Sequence, residues 1–300
     1  MSRETINTTN TTKTTKIAKF TLQNVIKVYH SDSVDVSALR GVTCEFYKGE
    51  ISVIMGPSGC GKTTLLNQLG GIDIPTSGSI FLETNKDITR FTEKEFDEYR
   101  KFQVGYLFQT LNLIPHLSAF DNVLLPLKIQ KRYTDEKKEE ILKQFDRLNI
   151  SNRLHHYPDQ LSGGEQQRVA LIRVAVKDPE VLLCDEPTGE LDSENKEKIL
   201  NLITDIHKEH PSMTIIIVTH DPDFKVIADR VFFLRDGKIS YILADEKLEE
   251  FKTQESNQIS SIGLKDSKNS ISQKIKSEKI EELEELSYLI NKRMKELKEE

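Results

Sequence analysis

The 300-residue sequence has no apolar run approaching the ~20 residues that cross a bilayer. A helical membrane span is therefore excluded, and any membrane role has to come through a partner. Its first residues are rich in Thr and Asn and lack the apolar stretch of a secretory leader. Thiols are scarce: Cys44, Cys60 and Cys184 lie far apart and form no Cys-x-x-Cys pair. That excludes a disulfide framework and predicts small core or loop residues in a reducing compartment. Positive charge is also in deficit, with 42 Lys and Arg against 48 Asp and Glu and a formal net charge of -6. A non-specific nucleic-acid binder needs a basic surface, so no nucleic-acid partner is expected. What remains is an ordinary soluble composition, 37% hydrophobic, long enough for one large domain or two small ones.

Against that background stands Gly56-Pro57-Ser58-Gly59-Cys60-Gly61-Lys62-Thr63-Thr64. An apolar, strand-like run, 51–55, leads into it and a helix-like run, 64–69, leads out. This is the strand, loop and helix of a G-x-x-x-x-G-K-[ST] phosphate cradle. Glycines let successive backbone N–H groups converge on one point, and the helix N-terminus adds partial positive charge there. Lys62 supplies a full charge for the outer phosphates, and the Thr63 hydroxyl is placed to hold Mg²⁺. The motif specifies a nucleoside triphosphate and leaves open what its energy does.

Around this cradle the pattern predicts an α/β chain. Residues 1–16 read as a disordered Thr-rich tail. Strands are expected over 18–29 and 42–47, then a turn at 75–78 and a short strand, 79–82. The middle, about 92–177, is mostly helical by pattern. Ser118 and Asp121 have capping-box-like spacing, and Ile141, Phe145 and Leu148 share one stripe of a helix over 135–148. The run 181–184 is continuously apolar, the mark of a strand buried on both faces, and 213–218 reads as a second buried strand. Residues 252–273 are rich in Ser, Asn and Lys and read as a linker. Ile280, Leu283, Ile290, Met294 and Leu297 give 274–300 a 3-4 stripe, interrupted at Ser287. That helix either forms a short coiled coil or docks on its own domain.

Two further stretches carry chemistry. Asp185 and Glu186 end a buried strand, where ligands of open α/β sheets bind. One carboxylate there can hold the Mg²⁺ of a bound nucleotide and the other can orient or deprotonate water. In Leu161-Ser162-Gly163-Gly164-Glu165-Gln166-Gln167, Ser162 can cap a helix whose start is left bare by two glycines, a second anion site. The Ser162 and Glu165 spacing also matches a plain capping box.

Together, the phosphate loop, the Asp-Glu strand end about 120 residues later and this Ser-Gly-Gly stretch resemble the ATP-binding cassette (ABC) ATPases. The resemblance covers about 17–248, within an ATPase domain expected over 17–251. It implies a P-loop NTPase core with a parallel sheet, an N-terminal antiparallel β subdomain and an inserted α-helical subdomain. It implies that Tyr29 stacks on adenine, and that Gln109 touches Mg²⁺ and water and senses the partner. Asp192 is matched to the interface aspartate, in a loop where Glu190 departs from the usual small or amide residue. His220 is matched to the histidine that contacts the γ-phosphate. Glu186, His220 and Lys62 would then be catalytic, with Thr63, Gln109 and Asp185 about Mg²⁺, partly through water. ATP would lie between the phosphate loop of one copy and Ser162, Gly163 and Gly164 of another, in a head-to-tail ATPase pair. Residues 69–78 and 104–115, with an insertion at 30–39, look like the lipoprotein-release and macrolide-export subgroup. The implied role is an ATP-binding export or extraction subunit driving a separate transmembrane permease from the cytoplasmic face. A non-transport cassette, in cell-division-like signalling or DNA-associated, is the alternative.

Overall fold

The computed structural model describes residues 16–30, 34–83, 85–189, 192–244 and 247–248. The expected Thr-rich tail (all but Lys16), the linker, the C-terminal helix and Glu190 lie outside the described residues. The expected insertion at 30–39 lies partly outside them.

Two sheets share one helix between them. Strands β1 (Ala18–Tyr29) and β2 (Val36–Tyr47) pair antiparallel, and β3 (Ile51–Met55) starts the second sheet. Helix α1 (Lys62–Leu69) follows, and β4 (Ser77–Leu82) returns to β1, giving the order β2-β1-β4. Strand β4 begins inside the stretch expected to be a turn, because Ser77 already pairs with Ile26. Likewise β2 starts six residues earlier than expected, its first half held by pairing with β1.

The chain then makes α2 (Glu93–Phe102), β5 (Val104–Leu107), α3 (Ala119–Gln130), α4 (Asp135–Arg147) and α5 (Gly163–Ala175). Strand β6 (Val181–Asp185), α6 (Ser193–Glu209), β7 (Thr214–Val218), β8 (Arg230–Arg235) and β9 (Lys238–Ala244) complete it. The large sheet has the order β5-β6-β7-β3-β8-β9, parallel except at its last strand. Strand β5 was not expected within the helical middle. Four residues are too few to show a period, and Val104 to Leu107 become a strand by pairing in parallel with Val181 to Cys184.

Alternation along β7 shows how the layers are sorted. Ile216 and Val218 face α1 and the antiparallel sheet, together with Leu65, Leu66, Phe20, Phe46 and Phe232. Ile215 and Ile217 face the other way, against Leu171 of α5 and Ile199, Leu202 and Ile203 of α6. Successive side chains of a strand point to opposite faces, so a run that is apolar throughout needs cover on both. A third cluster, including Val123, Leu127, Ile141, Phe145 and Ile172, packs α3 and α4 onto α5. Each such side chain, fully buried, contributes ~1.5–3 kcal/mol. All three cysteines are free and buried. Among the described residues no helix is long and apolar enough to cross a membrane.

Candidate functional site

The site begins where β3 ends. Gly61, at the cap of α1, has φ of 104°, and a Cβ there would stand 2.4 Å from the Ala38 carbonyl oxygen of β2. Only glycine suits both the left-handed backbone and that approach. The β8–β9 turn backs the loop, with the Gly237 N–H donating to the Cys60 carbonyl at 3.1 Å. The Lys62 ammonium folds across the loop and donates to the carbonyls of Gly56 (2.8 Å) and Pro57 (3.1 Å).

Strands β6 and β7 bring the acidic and imidazole groups to the same edge. The Thr63 hydroxyl donates to Asp185 Oδ1 at 3.0 Å. Burial lifts the Asp185 carboxyl above its ordinary range, and Glu186 adds to this against the pull of Thr63 and Lys62. Glu186 has φ of 46°, a left-handed conformation that costs a non-glycine residue energy. Its N–H is held by the Val218 carbonyl at 2.9 Å, and its Oε2 lies 3.0 Å from His220 Nδ1. The Glu186 side chain is mostly buried, whereas the His220 ring is open to solvent. Tyr29, at the end of β1, reaches the same region through a hydrogen bond with the Thr64 hydroxyl.

Gln109 is exposed on the loop after β5. That loop is pinned at both ends by residues the sequence reading did not single out. Phe108 stacks on Tyr106 with ring centroids 4.2 Å apart, and the Tyr106 phenol donates to Asn67 of α1 at 2.6 Å. At the far end, Arg173 of α5 donates to the carbonyls of Leu111 (2.6 Å) and Asn112 (2.7 Å). Asn122 of α3, fully buried, accepts from the Ile114 N–H (2.7 Å) and donates to the carbonyls of Ile114, Leu117 and Ser118. The only trace of this in the sequence is the neighbouring Ser118 cap, whose Oγ accepts from the Asp121 N–H at 3.1 Å. Asn122→Ala leaves several buried backbone groups unpartnered. It is expected to cost ~2–4 kcal/mol of stability in a denaturant titration, with faster amide exchange over 111–118.

At the start of α5 the capping box is realised. Ser162 Oγ accepts from the Glu165 N–H at 3.3 Å, and the Ser162 N–H donates to Glu165 Oε2 at 2.8 Å. Arg153 holds Glu165 Oε1 at 2.8 Å. The Ser162 N–H is thus engaged, while Gly163 and Gly164 lie in the first turn, whose N–H groups have no intrahelical partner. A Cβ at Gly163 would meet nothing within 4 Å, so this face opens outward. Asp192 caps α6, accepting from Asn195 at 2.8 Å, and Asn195 accepts from Arg168 of α5 at 3.0 Å. Gln167 also donates to the Pro187 carbonyl, so α5 is tied to the loop that follows Glu186. Among the described residues, no hydrogen bond or ion pair joins 162–164 to 56–64.

Residues 39–189 match the ABC transporter family. The chain belongs to it. It is 41% identical to ABC transporter H family member 2 of Dictyostelium discoideum over 74% of this chain, spanning 43% of that relative. It is 39% identical to the macrolide export ATP-binding/permease protein MacB of Chlorobaculum tepidum, covering 72% of this chain and 33% of that one. The lipoprotein-releasing system ATP-binding protein LolD 2 of Rhodopirellula baltica is 38% identical over 72% of this chain and 86% of its own length. Two solved structures of the MJ0796 cassette, one of its dimer and one of a dimeric post-hydrolysis state bound to ADP and Pi, superpose with a TM-score of 0.69. Each is 35% identical and matches 75% of this chain and 98% of that one.

Beside the Gln109 loop the ABC cassette has a cleft of about 370 Å³, lined in part by Ile72, Phe108, Pro126, Arg100, Arg173 and Lys177. Lys177 donates to the Arg100 carbonyl at 2.8 Å, and burial pushes its ammonium down to about 8. The lining is apolar and basic.

Proposed function

We propose that this chain is the ATPase subunit of an export or extraction machine, working in a head-to-tail pair. The observation that carries the reading is the division of the site. The phosphate loop, Asp185, Glu186 and His220 gather at one edge, while Ser162 and Gly163 lie exposed at the start of α5 and, among the described residues, no hydrogen bond or ion pair joins them to the loop. Two copies related by a two-fold axis would each complete the other's pocket. ATP then acts as interfacial glue and hydrolysis removes it.

In the closed pair, the loop N–H groups and Lys62 hold the β- and γ-phosphates of ATP while Tyr29 stacks on adenine. The Ser162 hydroxyl and the Gly163 and Gly164 N–H groups of the second copy approach the γ-phosphate from the other side, with Asp192 at the seam. Glu186 polarises the attacking water, and His220 and Lys62 steady charge on the γ-phosphate. Thr63 Oγ1 and Asp185 Oδ1, 3.0 Å apart, fit a hard divalent ion that takes oxygen donors. Among the described residues no cluster of three or more His, Cys, Asp or Glu forms a metal cage, as suits an ion bound chiefly through substrate phosphates. Thr63, Asp185 and Gln109 would hold Mg²⁺, which supplies charge neutralisation at the phosphate oxygens.

Opening and closing would pass to a membrane permease through the cleft beside Gln109. The names of the macrolide-export and lipoprotein-releasing relatives support that partner class. The test is affinity capture from detergent-solubilised membranes of cells expressing the chain. A co-purifying multi-span membrane protein is expected; nucleic acid without one would overturn the transport reading in favour of a DNA-associated cassette.

A further inference from the structure

Tyr29 is an exposed aromatic, 41% accessible, yet it is not a loose one. Its phenol donates to Asp73 Oδ2 at 2.7 Å and shares a hydrogen bond with Thr64. Asp73 sits on the turn after α1, its own N–H bound to the Asn67 carbonyl at 3.3 Å. Asp73 Oδ1 accepts from the Ile74 N–H (2.8 Å) and from Lys27 Nζ (2.5 Å). Lys27 also donates to the Ile74 carbonyl at 2.8 Å, and its ammonium stands over the Tyr29 ring, 4.9 Å from the centroid. Lys27 and Tyr29 are two apart on β1 and so share a face of the strand. Burial works against the charged Asp73 carboxyl, but the bonds from Lys27, Tyr29 and the Ile74 N–H outweigh it and hold it below the usual carboxylate range.

The ring is therefore fixed at its hydroxyl by a carboxylate and backed on one face by a cation. Both anchors come from outside the phosphate loop. We propose that Asp73, with Lys27, is a positioning residue for the nucleotide base: it fixes the Tyr29 ring so that a purine stacks on the face away from Lys27. This rests on the reading of Tyr29 as the adenine platform. An unanchored tyrosine at a strand end samples several rotamers, and ordering it on binding costs affinity; a ring already held avoids that cost. The ammonium behind the ring draws on its π-electrons, which favours an electron-rich base in front.

The test compares full-length Asp73→Ala, Asp73→Asn, Tyr29→Phe, Tyr29→Ala and the Tyr29→Phe/Asp73→Ala double variant. Affinity for ATP and for inorganic tripolyphosphate is measured by competition titration, with kcat at saturating ATP. Asp73→Ala and Tyr29→Phe should each weaken ATP binding ~3–10-fold. The double variant should be no weaker than either single, since both remove one link. In Asp73→Ala, affinity for tripolyphosphate, which has no base, and kcat at saturating ATP should stay at the parental level. Asp73→Asn, which keeps an acceptor for the phenol, should recover most of the loss. Unchanged ATP affinity in Asp73→Ala, with Tyr29→Ala weakened, would overturn the positioning role and leave the platform standing. Unchanged affinity in Tyr29→Ala would overturn platform and positioning together. Equal loss for ATP and tripolyphosphate in Asp73→Ala would show a general loosening of the phosphate loop, and would also overturn the proposal.

Discussion

Replacing Glu186 with Gln should lower ATP turnover ~10²–10⁴-fold, the usual contribution of a positioned general base. The same protein should still bind ATP and should sediment as a dimer when ATP is saturating. The two effects have one cause. Gln is close to isosteric with Glu, so the left-handed backbone at 186 and the bond from its N–H to Val218 survive. A carboxamide near His220 Nδ1 also keeps an acceptor there. What is lost is the capacity to take a proton from water, so the nucleotide that joins the two copies is not consumed. Sedimentation velocity with and without ATP, beside a phosphate-release assay, reads both. A Glu186→Gln protein that stays monomeric in saturating ATP would mean that the pocket is not shared between copies.

Lys62→Ala should reduce hydrolysis to background and weaken ATP binding by ~30–1000-fold. That corresponds to losing a largely buried, hydrogen-bonded charge worth about 2–4 kcal/mol. Lys62 is 8% exposed and holds two carbonyls of its own loop. Its removal also unpins the loop, so a melting curve should accompany the ATP titration. Loss of the two carbonyl bonds costs about 1–3 kcal/mol, a fall of a few degrees in Tm for a domain of this size. Persistent turnover in a folded Lys62→Ala protein would remove this loop from the reaction.

Much of the site was legible because its parts are short and local. The phosphate loop is nine consecutive residues between a strand and a helix. Asp185, Glu186 and His220 each follow a run of apolar residues that can only be a doubly covered strand. The Ser162 box could be read from a spacing of three, though not which of its two uses the chain makes; in the structure Glu165 engages the Ser162 N–H. Strand β5 stayed hidden because its four residues carry no period and its identity comes from the neighbouring β6. Asn122, Arg173 and Asp73 stayed hidden for a related reason. A polar residue inside a helix or turn gives no sign of which distant carbonyl or hydroxyl it will meet.

The sequence by itself determined the phosphate-loop motif, most of the strands and helices apart from β5, and the residues that follow β3, β6 and β7 at one edge of the large sheet. These follow from backbone freedom at glycine, apolar periodicity and charge, all of which act over a few positions. Only the tertiary structure decided which anchors hold those residues. It tied Tyr29 to Asp73 and Lys27, the Gln109 loop to Asn67, Arg173 and Asn122, and helix α5 to the loop after Glu186. Apart from those of Asn122, which reach only four to eight residues back, these bonds span 20 or more residues, and their partners become neighbours only when the two sheets close on α1 and bury both faces of β7.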